Sequence, residues 1–101
     1  MRELPFSRIA IVNRGEPAMR LINAVRDFNF EHGTDLVTIA LATDTDRGSM
    51  FVREADEVFE IGPALYTDAS GQRKVGYLDY ERLSGALEAT RSDAAWAGWG
   101  F

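Results

Sequence analysis

Apolar residues follow two rhythms along this chain, and the switches between them mark out its elements. Residues 8–12, RIAIV, form a short β-branched run that predicts a buried strand. NRGE follows as a turn in which Gly15 is free to take a positive φ, and Pro17 suits the first position of a helix, where its missing N–H costs nothing. Ala18, Leu21, Ile22, Val25 and Phe28 then recur at helical spacing, with Arg20, Asn23, Arg26 and Asp27 more polar. EHGTD ends that helix near Gly33. Residues 36–42, LVTIALA, predict a second strand, TDTDRGS a polar loop, and MFVREA one or two helical turns. Residues 57–61, EVFEI, predict a third strand, closed by Gly62 and Pro63. ALYTDASGQRKVG reads as a connection that is long for a compact domain, hence mobile or functional. Asp79 caps a helix running to about Thr90, with Leu83, Ala86 and Leu87 inward and Gly85 weakening its middle. Residues 94–97, AAWA, predict a short fourth strand.

Strands alternating with helices predict an α/β fold: a three-layer αβα arrangement around a Rossmann-like parallel sheet with right-handed crossovers. Such a sheet presents its ligand loops at the strands' C-terminal ends. Two loops fall there, NRGE after the first strand and GWGF after the fourth.

Composition narrows the field. The 101 residues suffice for one small domain, and 46% apolar content supports a core and argues against disorder. The net charge of −5, with no basic cluster, argues against nucleic acid or an anionic membrane surface as partner. With no cysteine, disulfides and thiolate chemistry are excluded, which suits the cytosol. No apolar run reaches membrane-spanning length, MRELPFSR lacks a signal-peptide core, and Met1 is read as the true N-terminus.

Most familiar chemistries lack their parts. A dinucleotide turn needs three glycines, whereas NRGE has one and places Glu16 beside the anion position. There is no GxxxxGK[ST] phosphate loop, and no serine stands in a nucleophile elbow. TDTD offers two calcium-type acids without the rest of a calcium loop, so Asp44, Asp46, Asp56 and Glu57 read as surface or capping groups. His32, the one histidine, reads as a helix-end residue. GWGF is the best candidate for contact chemistry. Trp99, flanked by glycines, either stacks on a flat ligand or packs on further polypeptide; Trp96 and Phe101 read as packing against polypeptide outside this chain.

In series, the segments RIAIVNRGEPAMRLINAVRDF, ATDTDRGSMFVREADEVFEIGPA, YLDYERLSGALEAT and DAAWAGWGF resemble the N-terminal domain of biotin carboxylase, the ATP-dependent component of acetyl-CoA, propionyl-CoA and pyruvate carboxylases. The resemblance runs from about Ser7 to Phe101, and AWAGWG is similar to large fused acetyl-CoA carboxylases of fatty acid metabolism. Pro17, the length of NFEHGTD and the TDASGQRKVG stretch depart from the family pattern.

The resemblance implies a parallel-sheet domain preceding an ATP-grasp body that uses ATP, Mg or Mn and bicarbonate to carboxylate biotin. It implies that residues 1–101 are a C-terminally truncated fragment, inactive alone and cytoplasmic. Implied partners are a downstream ATP-grasp domain, a biotin carrier, a carboxyltransferase and a second copy of the enzyme. By position, Trp99 and Gly100 match the aromatic and glycine bordering the biotin site, and Arg20 matches a helix position near the dimer interface. Asn13, Arg14, Gly15 and Glu16 match the family's first turn and read as structural. Two other readings stand beside this one: the N-terminal domain of another ATP-grasp ligase, and a freestanding, non-catalytic binding domain.

Overall fold

A computed structural model describes residues 4–76 and 79–98. The chain runs through β1 (Arg8–Ile11), α1 (Gly15–His32), β2 (Val37–Thr43), a short 3-10 turn (Asp44–Asp46), α2 (Met50–Glu54) and β3 (Glu57–Gly62). A hairpin of β4 (Leu65–Thr67) and β5 (Arg73–Val75) follows, then α3 (Tyr80–Ala89) and β6 (Ala94–Trp96). Strands β3, β2, β1 and β6 form one sheet in that order, all parallel, with Ile9 opposite Thr38 on one side and Ala94 on the other.

Successive residues of a strand face opposite sides of the sheet, and here each side finds its own helices. Ile11 and Ala40 join Ala18 and Ile22 of α1 and Phe51 of α2 in one buried cluster. Ala10, Ile39 and Leu41 face the other way and meet Ala86 of α3, with Leu83 and Leu87 beside it. The three-layer αβα reading is therefore correct. Burial of each large aliphatic side chain stabilises the fold by roughly 1.5–3 kcal/mol.

Several expectations hold residue by residue. Ala18, Ile22 and Val25 are the buried residues of α1, and its C-cap Gly33 donates its N–H to the Asn29 carbonyl. Asp79 caps α3 by accepting from the N–H groups of Glu81 (3.0 Å) and Arg82 (3.2 Å). His32 closes α1, its ring 4.3 Å from that of Phe28.

Others are corrected. α1 starts at Gly15, so Pro17 is its third residue. ALYTDASGQRKVG is not a structureless connection: Leu65 pairs with Val75 and Thr67 with Arg73 in an antiparallel ladder. The Asp68 carboxylate closes its turn, accepting from the backbone N–H of Ser70 and Gln72 and from the Ser70 hydroxyl (2.7 Å). The hairpin is tied to α3, where the Arg82 guanidinium lies 3.7 Å from the centroid of the Tyr66 ring and the Tyr66 hydroxyl donates to Asp79. TDTD is not a solvated loop throughout, because Asp46 is buried. Trp96 packs on the domain's own core, against the clusters that α1 covers.

The sheet's two rims differ in character. At the N-terminal rim, Arg8 clamps two layers together: its guanidinium donates to both oxygens of Glu57 (2.6 and 2.9 Å) and to the Thr90 carbonyl at the end of α3. The Asp93 carboxylate accepts from the backbone N–H groups of Ser7 and Arg8. Hydrogen bonding by Arg8 holds the Glu57 carboxyl below its usual range, and the Arg8 N–H does the same to Asp93. The C-terminal rim carries the loops.

Candidate functional site

The chain reverses direction across the sheet after β3, passing through α3 to place β6 on the far side of β1. The C-terminal ends of β1 and β6 therefore lie side by side at this reversal of strand order. In an open parallel sheet this switch point is where a ligand crevice forms.

Its walls come from the two loops singled out in the sequence. The Val12 N–H continues the ladder by donating to the Trp96 carbonyl (2.8 Å). Asn13 then turns inward and is 5% exposed. Its Nδ2 donates to the Ala97 carbonyl (3.0 Å), and its Oδ1 accepts from the Arg14 N–H (2.8 Å). Arg14 leans toward β2, its Nε 3.4 Å from Oδ1 of Asp46. Asp46 Oδ2 accepts from the Thr43 backbone N–H and hydroxyl, each at 2.8 Å. A polar relay thus crosses the rim from β2 through β1 to β6.

Backbone geometry explains both glycines. Gly15 opens α1 at φ 62°, with nothing within 4 Å of where a Cβ would stand. Gly98 has φ 63°, and a Cβ there would sit 3.0 Å from Asn13 Nδ2 and 3.0 Å from the Trp96 indole. Left-handed conformation costs an ordinary residue about 1–2 kcal/mol. Gly15 answers that need alone; Gly98 also permits close approach.

Glu16, Pro17 and Arg20 of α1 line a shallow groove with Trp96 and Gly98, of about 180 Å³. Arg20 pairs with Glu16 one turn earlier on the exposed helix face. This groove is below the roughly 300 Å³ at which ligand pockets begin. Glu16 in the first turn of α1 opposes an anion at that helix end, so these residues do not fit a nucleotide phosphate. Among the described residues, no group of three or more His, Cys, Asp or Glu is placed to hold a metal. No helix among them is long and apolar enough to cross a membrane.

The structure therefore brings Asn13, Arg14, Glu16 and Arg20 to one rim beside Gly98. Trp99, Gly100 and Phe101 lie outside the described residues. Sequence reasoning missed Asp46 as a member of the relay. The only local sign was Thr43 three residues before it, a helix-capping spacing that the structure uses.

A four-stranded parallel sheet with a crevice at its strand-order switch defines a Rossmann-like α/β domain. The chain belongs to the family described as biotin carboxylase, N-terminal domain, whose model matches residues 5–101. It is 33% identical over 96 residues to biotin carboxylase 1 of Bacillus subtilis, covering 95% of this chain and 18% of that protein. Against the mitochondrial propionyl-CoA carboxylase alpha chain of Mus musculus it is 32% identical over 100 residues, covering 99% of this chain and 12% of that one. Among solved structures, the Kluyveromyces lactis urea carboxylase superposes with a TM-score of 0.74 at 28% identity, over 96% of this chain and 7% of that one. The Campylobacter jejuni biotin carboxylase superposes with a TM-score of 0.72 at 26% identity, over 95% and 19%. The chain thus spans less than a fifth of each of these relatives.

Proposed function

We propose that this domain works as the opening part of a longer biotin-dependent acyl-CoA carboxylase, and that residues 1–101 alone have no catalytic activity. The observation that carries the reading is the family match over residues 5–101 combined with the small share of each relative that the chain spans. In this reading ATP, bicarbonate and Mg or Mn are handled by a downstream ATP-grasp domain, whose chemistry is the ATP-driven carboxylation of biotin. This domain contributes one wall of the biotin site through Trp99 and Gly100, which directly follow the crevice residue Gly98. Asn13, Arg14, Gly15 and Glu16 support that wall, and Arg20, exposed beside the groove, lies at a homodimer interface. A biotin carrier and a carboxyltransferase complete the cycle in the cytoplasm.

Acceptor identity is the second layer. The relatives' names include propionyl-CoA, pyruvate and urea carboxylases. An acyl-CoA, acetyl-CoA or propionyl-CoA, is our first choice of acceptor. Urea is the second, favoured by the superposition on the urea carboxylase. The test is to express the uninterrupted gene product and measure ATP cleavage with and without bicarbonate and free biotin. Cleavage that needs both supports the reading. A well-folded product that cleaves no ATP under those conditions, or acts on an amine or carboxylate without biotin, refutes it. A panel of acyl-CoAs, pyruvate and urea then assigns the acceptor.

A further inference from the structure

We infer that the groove at the N-terminal rim of the sheet, between β3 and the end of α3, binds a small monocarboxylate with an apolar body. It lies at the opposite end of the strands from the crevice described above and does not depend on the proposed function. Its volume is about 500 Å³, above the roughly 300 Å³ at which ligand pockets begin. Ile39 of β2, Phe59 of β3 and Ala89 of α3 give it an apolar lining, and Arg8, Glu57 and Arg91 supply its charge. That charge selects the ligand. The Arg8 guanidinium is matched by both oxygens of Glu57 (2.6 and 2.9 Å), so the pair is neutral as a unit. No carboxylate among the described residues pairs with Arg91. One unmatched cation beside an apolar lining suits a single carboxylate on an apolar body; a phosphate monoester brings up to two negative charges. The C-terminal end of α3 does not oppose an anion strongly, because its carbonyls are already engaged. Those of Ala86, Leu87 and Glu88 accept from the N–H groups of Thr90, Ser92 and Arg91, and that of Thr90 accepts from Arg8. The backbone of Arg91 points the same way. At φ 56° it occupies the left-handed region just past a helix end, where glycine is the usual occupant. A side chain kept at a strained backbone position marks a use for that side chain, and this guanidinium lines the groove.

The experiment titrates the full-length gene product with hydrocinnamate, followed by ligand-observed NMR. Hydrocinnamamide keeps the apolar body without the charge, and acetate keeps the charge without the body. Wild type is expected to bind hydrocinnamate with a Kd on the order of 1 mM, as suits so small a ligand, and the amide and acetate roughly tenfold more weakly. Arg91→Gly removes the guanidinium and suits the backbone, so it folds normally and weakens hydrocinnamate roughly tenfold while leaving the amide unchanged. Ala89→Phe fills the groove with both arginines in place and abolishes binding of acid and amide alike; thermal melting checks that it folds. No saturable binding of hydrocinnamate up to about 10 mM overturns the inference. So do equal affinities for hydrocinnamate and either control ligand, a wild-type affinity in Arg91→Gly, or a wild-type affinity in folded Ala89→Phe. If Ala89→Phe does not fold, Arg91→Gly and the two control ligands decide the matter between them.

Discussion

Gly15 and Gly98 share a left-handed backbone but differ in their surroundings, so the same substitution tests two separate physical terms. Gly15→Ala introduces only the φ cost of about 1–2 kcal/mol, since nothing lies within 4 Å of the new Cβ. About 0.4–1 kcal/mol of that returns through the stiffer unfolded chain. A net loss of about 1 kcal/mol lowers Tm by about 4–8 °C in a domain of this size. Gly98→Ala carries the same φ cost, and its Cβ meets Asn13 Nδ2 at 3.0 Å and the Trp96 ring at 3.0 and 3.1 Å. Displacing the Asn13 amide sacrifices a hydrogen bond worth about 1 kcal/mol, and overpacking adds about 1–3 kcal/mol. The sum is about 3 kcal/mol or more, some three times the loss at Gly15. Urea and thermal unfolding of both variants measure the difference. Trp96→Phe removes the indole atoms in contact, so the double variant should show a favourable coupling with Gly98→Ala of about 1 kcal/mol. Equal losses at Gly15 and Gly98, or no coupling to Trp96, would refute the crowding argument.

Three further outcomes are expected. Phe51→Ala, at the one fully buried side chain of α2, should cost about 3–5 kcal/mol and raise hydrogen exchange first in α2, read by urea unfolding and exchange. Arg91 sits at φ 56° just past the end of α3, so Arg91→Gly should stabilise by about 1 kcal/mol; a lower midpoint in urea would contradict this. Glu57 and Asp93 have folded-state pKa values below their ordinary values of 4.5 and 3.8, so their contribution is complete above those values and is lost as pH falls through the lowered ones. Asp93→Asn should therefore flatten the acid side of the stability profile below about pH 4 while leaving its shape near pH 7 unchanged, as thermal melts from pH 2 to 7 would show.

What the sequence revealed followed from how local each cause is. β1, β2 and α1 are carried by uninterrupted apolar patterns, and Asp79 caps a helix by bonding to N–H groups two and three residues away. The β4–β5 hairpin escaped because its strands are three residues long, too short for alternation to register. Its anchorage comes from Arg82 and Asp79, beyond its own segment. The capping role of Asp46 was legible, since Thr43 stands only three residues away, but its burial was not, because that is arranged partly by Arg14, which stands thirty-two positions earlier. The switch crevice was legible as two loops at strand ends, from the general rule for parallel sheets. That Asn13 holds Ala97 was not, because nothing in either segment encodes the other's arrival.

The position of β1 bears on how the domain is made. Its partner β6 comes last among the described strands: Arg8 meets Asp93 across 85 residues. During synthesis at roughly 5–20 residues per second, one edge of the apolar RIAIV strand waits about 4–17 s for its neighbour. An unpaired apolar edge is a template for the wrong partner. A nascent chain halted between β5 and β6 should therefore engage chaperones or aggregate, whereas one extended past Trp96 can pair this edge of β1.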